Sequence, residues 1–465
     1  MRMSAAGDLA GAAEELSGVD RAWLLMDRPA NPMIVVGLIV LAKRIGHARL
    51  RQVVSERFLS YRRFRCVPVA HPLGGGSWIE SSAFDVADHV LECALPEPGG
   101  QRELEALVGD LASTPFASGR PLWTFHLIDR YAHGCAIVTR IHHAYADGVA
   151  LLKVLLALTD HPPEPQRSGK SHATAHEGNW LSGLMAVPRE GIALVEKAMH
   201  YALRPLESAS LAGRALDMAG ELVHMGLLAD EPRTCLKRPL CGSRRAAWGD
   251  PLPLDEIRTL ASVLGCKVND LLLSTLAGAL GRYLESRGEV ASGVTLRASV
   301  PVNLRAVDDS QPPLGNRFGL AFVELPVGIR HPLERLYAVR TTMQRLKDSP
   351  QPLAVLALLT VVGNLPPPIE EPLVNLFSSK ASLVASNLAG PRVKLHLAAA
   401  PVSQILFWVP QAGDIGLGVS MLSYDGRLQF GVMADREIVP EPSELVQHVA
   451  EEFERLVYLL LLGAR

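Results

Sequence analysis

Ile141-His142-His143-Ala144-Tyr145-Ala146-Asp147-Gly148 is the stretch that decides how the rest of the chain is read. It follows the apolar run Ala136-Ile137-Val138, which is short and rich in β-branched residues and reads as a buried strand ending at the histidines. Val149 to Leu158 has helical spacing, which puts Asp147-Gly148 at the turn from strand to helix. A strand end is a rigid platform that aims a side chain into a crevice. The spacing from His143 to Asp147 lets one residue do proton chemistry while the other holds the turn.

Working outward, Pro121-Leu122-Trp123 opens a strand through Ile128, and a loop at Tyr131 to Gly134 joins it to Ala136–His143. That hairpin delivers His143. Nearer the N-terminus, Leu16 to Trp23 reads as a short helix start capped by Ser17, Met33 to Leu41 as a strand, and Leu50–Leu59 and Leu104–Leu111 as helices. The basic knot Tyr61-Arg62-Arg63-Phe64-Arg65 reads as solvated surface or as a phosphate contact.

Composition breaks after the motif. His161 to Asn179 is rich in Pro, Ser, His and Lys and reads as a linker, and Leu181 to Leu228 as a helical bridge interrupted by Pro188 and Pro205. The chain divides into an α/β lobe over residues 1–160, a linker and bridge over 161–230, and a second α/β lobe over 231–465. In that second lobe, helices are expected at Leu254–Leu264 and Asn269–Leu284, the latter capped by Asn269 or Asp270. Strands are expected at Thr295–Val302, Leu320–Leu325, Ser382–Ser386, Ile405–Val409, Gly416–Ser420 and Leu428–Met433, before a closing helix at Ser443–Leu462.

The 465 residues carry a net charge of −2, with no basic field for nucleic acid. The six cysteines (66, 93, 135, 235, 241 and 266) are scattered without a CxxC pair, which fits a reducing cytosol. Met1 to Leu16 lacks an apolar signal core, and no apolar run reaches the roughly 18 residues that span a bilayer, so a soluble or peripheral cytoplasmic protein is expected. Gly169-Lys170-Ser171 is no phosphate loop, because residue 164 is Glu and not Gly. A zinc site is excluded: adjacent histidines on a strand face opposite ways, and HExxH is absent.

The histidine stretch resembles the HHxxxDG motif of the CoA-dependent acyltransferase superfamily, and within it the bacterial wax ester synthase/diacylglycerol acyltransferase family. Further matches run along most of the chain. Pro121-Leu122-Trp123 is similar to that family's PLW stretch, Asn269-Asp270 to its ND motif, and Ser299 to Arg305 to its strand end carrying an arginine. Ser386-Asn387-Leu388-Ala389-Gly390-Pro391 is similar to SNxxGP, with Leu-Ala where the family usually has Val-Pro, and Ser423-Tyr424-Asp425-Gly426 to an SYNG-type turn. The resemblance implies two chloramphenicol-acetyltransferase-like lobes of mixed sheet plus helices, with the active site in a tunnel at their interface. It implies esterification of a fatty alcohol or diacylglycerol by acyl-CoA, which is a substrate; no cofactor is required.

Acyl transfer from a thioester to an alcohol needs a base near neutrality, and imidazole has that pKa. The family resemblance places the duty on His143. His142 either assists or fixes the strand end. For Asp147, beside Gly148, the resemblance implies an orienting role through an ion pair with Arg305 across the lobes. Asn269, Asp270, Ser386 and Asn387 are candidate oxyanion donors or, equally, cap and turn residues, and Trp123 is core or substrate wall. No GxSxG elbow occurs, so no acyl-enzyme is expected. Two other readings stand beside this one: an acyltransferase using a carrier-bound or polyketide alcohol, and a lipid-droplet-coating protein with a decayed site. The apolar segment Pro352–Leu365 is either core or a helix at the tunnel mouth that dips into a lipid surface.

Overall fold

A computed structural model describes residues 14–71, 75–160, 220–305, 314–347, 349–364 and 367–463. The expected linker and the bridge as far as residue 219 lie outside those residues; 220–227 is helical.

In the first half the strands are β1 (Glu14–Glu15), β2 (Ile34–Leu41), β3 (Cys66–Ala70), β4 (Gly76–Glu80), β5 (Val90–Cys93), β6 (Trp123–Tyr131) and β7 (Gly134–His142). The helices there are α1 (Gly18–Leu25), α2 (His47–Val53), α3 (Gln101–Ser113) and α4 (Gly148–Ala157). The second half supplies β8 (Arg244–Trp248), β9 (Leu252–Pro253), β10 (Leu296–Asn303), β11 (Phe318–Leu325), β12 (Leu383–Ala389), β13 (His396–Leu397), β14 (Ala400–Trp408), β15 (Leu417–Tyr424) and β16 (Arg427–Asp435). Its helices are α5 (Leu254–Val263), α6 (Val268–Ser286), α7 (Pro332–Leu346), α8 (Gln351–Val362), α9 (Pro367–Ser378) and α10 (Pro442–Leu461).

The apolar runs of β2 and β7 are buried at every position, so both sit inside a sheet covered on its two faces. That sheet runs β13-β14-β2-β7-β6-β5, and the β6–β7 hairpin is as expected. Two of its strands, β13 and β14, come from the second half of the chain: Phe407 pairs with Gly37 and Trp408 with Val36. The other large sheet runs β11-β10-β12-β15-β16-β8, with β9 also on β16. Its central helix α6 is apolar almost all round and is buried from Asn269 to Gly281, as a helix enclosed by neighbours must be. A small sheet, β1-β4-β3, lies beside the first. The architecture is therefore mixed α/β in two lobes interlocked by a donated hairpin.

Two local expectations are corrected, and a third that was left open is narrowed. The knot at residues 61–65 is not simply solvated, because Arg63 is buried. Its guanidinium is paired with Asp20 at 3.3 Å, contacts Glu14, and donates to the Tyr145 carbonyl at 3.0 Å. Helix α6 begins two residues earlier than Asn269 would cap: Lys267 is the N-cap residue, and Asp270 reaches back to accept from its N–H at 3.0 Å. Third, α8 packs against α1 and β11, and Leu356 and Leu359 are buried on it, which settles those two positions as interior.

Candidate active site

The motif loop leaves β7 at His142 and enters α4 at Gly148. Asp147 is the N-cap of α4, its Oδ1 accepting from the Ala150 N–H at 3.0 Å, which satisfies one of the helix's orphan donors. Its Oδ2 accepts from Arg305 Nη2 at 2.7 Å and from the Arg317 N–H at 3.0 Å. Both members of the ion pair are buried. The expected link across the lobes is therefore present, and it also fixes the turn at Gly315, whose carbonyl accepts from Arg305 at 2.6 Å.

The loop's other carbonyls are held as well. Asn316 Nδ2 donates to the carbonyl of His143 at 3.0 Å and to Asp20 Oδ1 at 2.8 Å. Asp20 in turn faces Arg63, which holds the Tyr145 carbonyl. Burial pushes the Asp20 carboxyl above its ordinary pKa, opposed by Arg63 and Asn316. Tyr145 anchors the loop from below, its hydroxyl donating to the Cys66 carbonyl at 2.8 Å. These partners lie far away in sequence, so the loop conformation is set by tertiary contacts.

His143 sits just past the strand, its N–H bonded to the Met33 carbonyl at 2.8 Å. The imidazole stacks on Trp23 with ring centroids 4.0 Å apart and also contacts Phe318. Burial depresses its pKa to about 4; Asp147, its own carbonyl and Asn316 pull the other way, and His142 adds to the depression. The ring is accordingly neutral at physiological pH and able to accept a proton.

His143 lies on a cleft between the lobes that encloses about 1240 Å³, its mouth included. The walls are mostly apolar, from α1, β11, α8 and α9. Asp147, Ser299, Asn303, Ser378, Ser386 and Asn387 are its polar lining besides His143, and Gly148 also lines the space. This is the concave, mostly apolar space with few polar groups that is typical of small-molecule sites. Ser386 and Asn387 therefore reach the cleft. Asn269 does not line it but stands behind, its Oδ1 3.4 Å from Asn387 Nδ2, and Asp270 serves the helix start.

Two expected site residues are elsewhere. His142 is buried away from the cleft, its Nδ1 accepting from the Ala144 N–H at 3.1 Å and its Nε2 3.6 Å from Asp27. Trp123 is core: its indole N–H donates to the Phe64 carbonyl at 2.7 Å and its ring packs edge-on to Phe58. Conversely, the sequence reading missed Trp23, Asp20, Arg63 and Asn316. Asp20 and Trp23 are three apart on α1 and share a face, which was the one available sign that they act together. Among the described residues no cluster of three His, Cys, Asp or Glu could hold a metal.

This fold, taken with the family matches, defines an acyltransferase. The wax ester synthase/diacylglycerol acyltransferase catalytic domain matches residues 16–272, and that family's C-terminal domain matches 314–457. The chain belongs to the wax ester synthase/diacylglycerol acyltransferase family. A Mycobacterium tuberculosis H37Rv chain that carries the name diacylglycerol O-acyltransferase is 29% identical over 481 residues, covering 95% of this chain and 90% of that one. Among solved structures, the wax ester synthase/diacylglycerol acyltransferase from Marinobacter aquaeolei VT8 has a TM-score of 0.67 at 22% identity, covering 97% of this chain and 100% of its own. The first condensation domain of the calcium-dependent antibiotic synthetase has a TM-score of 0.60 at 14% identity, covering 97% and 96%. At these identities the structural likenesses speak to the fold.

Proposed function

We propose that the chain transfers a long acyl group from acyl-CoA to the hydroxyl of a fatty alcohol or diacylglycerol, with His143 as general base. The observation that carries the reading is a neutral imidazole, braced by Trp23, on an apolar cleft between the lobes. The imidazole takes the hydroxyl proton as the alcohol oxygen attacks the thioester carbonyl carbon. The tetrahedral intermediate collapses by breaking the C–S bond, and the imidazolium returns the proton to the CoA thiolate, leaving ester and free CoA. Thiolate leaves readily, a thiol pKa being about 8.5, so no covalent acyl-enzyme is needed. On this reading Asn387 and Ser386, which line the cleft, donate to the oxyanion. Asp147 and Arg305 act indirectly, by holding the loop that carries His143.

Such acceptors reside in membranes and lipid droplets, so the reading includes a cytoplasmic protein that docks peripherally on a lipid surface. Supporting it, Val361 on α8 and Leu376 on α9 are exposed, while Val362 and Val374 on the same two helices line the cleft. The test is thiol release from a panel of acyl-CoAs against hexadecanol and diacylglycerol. Turnover with neither acceptor overturns the reading, and turnover only with a carrier-bound alcohol assigns a different acceptor.

A further inference from the structure

Behind α4 lies a second, narrower space of about 680 Å³, its opening to solvent included, that the chemistry above does not use. Leu151, Leu155 and Leu156 of α4 form its roof, and Ile405, Phe407 and Leu422 part of its walls. Two polar side chains touch it, and both are satisfied within the protein: Thr139 donates to the Gly37 carbonyl at 3.4 Å and Thr159 to the Leu156 carbonyl at 2.6 Å. Both hydroxyl protons are committed to backbone carbonyls and every other lining side chain is apolar, so a hydrocarbon is what such walls accept.

The space is kept open by backbone choice. Gly37 lies under Leu155 in the middle of β2; a Cβ there would stand 2.6 Å from Thr139 Oγ1 and 3.6 Å from Leu155 Cδ1. Any side chain at that position would fill the floor.

The second cavity shares two wall residues with the catalytic cleft, Gly148 and Leu388. A Cβ on Gly148 would lie 3.6 Å from Leu388 Cδ1, so at this shared wall a rotatable leucine faces a position without a side chain. Gly148 follows Asp147 directly, and His143 lines the cleft on its other side. An ester of two long chains has two hydrocarbon arms diverging from one reacting centre, and they cannot both follow the same wall. On the O-acyltransfer reading the cleft along α8 takes one.

We propose that the cavity behind α4 receives the distal part of the other arm, a long alkyl chain passing Leu388 at Gly148. The inference rests on the O-acyltransfer reading for its two substrates but concerns binding, so it is tested without turnover.

Wild-type protein is irradiated with palmitoyl-CoA and, separately, with hexadecanol, each carrying a diazirine at its ω end, and the labelled peptides are mapped. The expected result is labelling within residues 151–156 by one of the two probes, suppressed by its unlabelled counterpart; which probe labels tells donor from acceptor. Labelling confined to α8 and α9, or unsuppressed labelling of α4, overturns the proposal. Leu155→Phe narrows the cavity and should lower the ratio of long-chain to short-chain kcat/KM for that substrate alone by about tenfold, the worth of two excluded methylenes. An unchanged ratio in a folded variant also overturns it. If no thioester is consumed by any form, the activity reading fails while the labelling pattern still decides the cavity.

Discussion

Asp147 and Arg305 are 158 residues apart in sequence, yet their side chains meet at 2.7 Å with both charges out of solvent. The pair joins the histidine loop of one lobe to the end of β10 in the other. Removing one partner strands a buried charge, so Asp147→Asn or Arg305→Met should each destabilise by about 3–5 kcal/mol. Asp147→Asn retains a cap oxygen for α4, which separates loss of the charge from loss of the cap. Denaturant unfolding checks this, with the double variant costing less than the sum of the two; strict additivity would mean that the two charges do not stabilise one another.

The depressed pKa of His143 fixes the pH dependence. Its base form is neutral and present above about 4, so kcat/KM should be flat from neutrality downward and fall only as pH drops through about 4, well below the usual imidazole value of about 6.5. A profile measured with soluble short-chain alcohol, with fold monitored at each pH, checks this. His143→Ala should cost roughly 10²–10⁴-fold in kcat with little change in melting temperature, and Trp23→Ala should move the acid limb upward by exposing the ring.

Glu231 shows a separate titration, remote in function. Burial raises its carboxyl to about 7, against the pull of Ser382 and Arg297, the latter 3.8 Å away. The folded state holds a proton there that the unfolded chain releases near 4.5. This contribution to stability is present below about 4.5 and is lost as pH rises through about 7, amounting to roughly 3 kcal/mol across that window. Glu231→Gln should flatten melting temperature against pH in that range; an unchanged slope would rule the site out as its source.

Lipid docking predicts a contrast between two pairs of positions on α8 and α9. Leu356 and Leu359 are buried, so aspartates there should unfold the protein. Val361 and Leu376 are exposed, at 51% and 41%, and Val361→Asp with Leu376→Asp should leave the melt unchanged. Liposome flotation and activity on dispersed long-chain acceptors should fall, with activity on short soluble alcohols retained. Undiminished flotation would place the docking surface elsewhere.

What the sequence by itself determined is what local pattern encodes. The β-branched run into His142-His143, the helical spacing after Gly148 and the turn chemistry of Asp147-Gly148 put a histidine at a strand end, and motif resemblance supplied the family and the Arg305 partner. Tertiary structure decided the rest. Whether Arg63 is solvated or buried depends on Asp20 and the Tyr145 carbonyl arriving beside it, which no spacing within residues 61–65 can express. Trp123 and Trp23 are equally apolar in sequence. One packs into the sheet on Phe58 and the other onto His143, because the strand carrying the first faces the core and the helix carrying the second faces the cleft. The lobe boundary was equally out of reach: β14 reads as a strand, but only pairing through backbone hydrogen bonds, which carry no side-chain signature, placed it beside β2 in the opposite half of the chain.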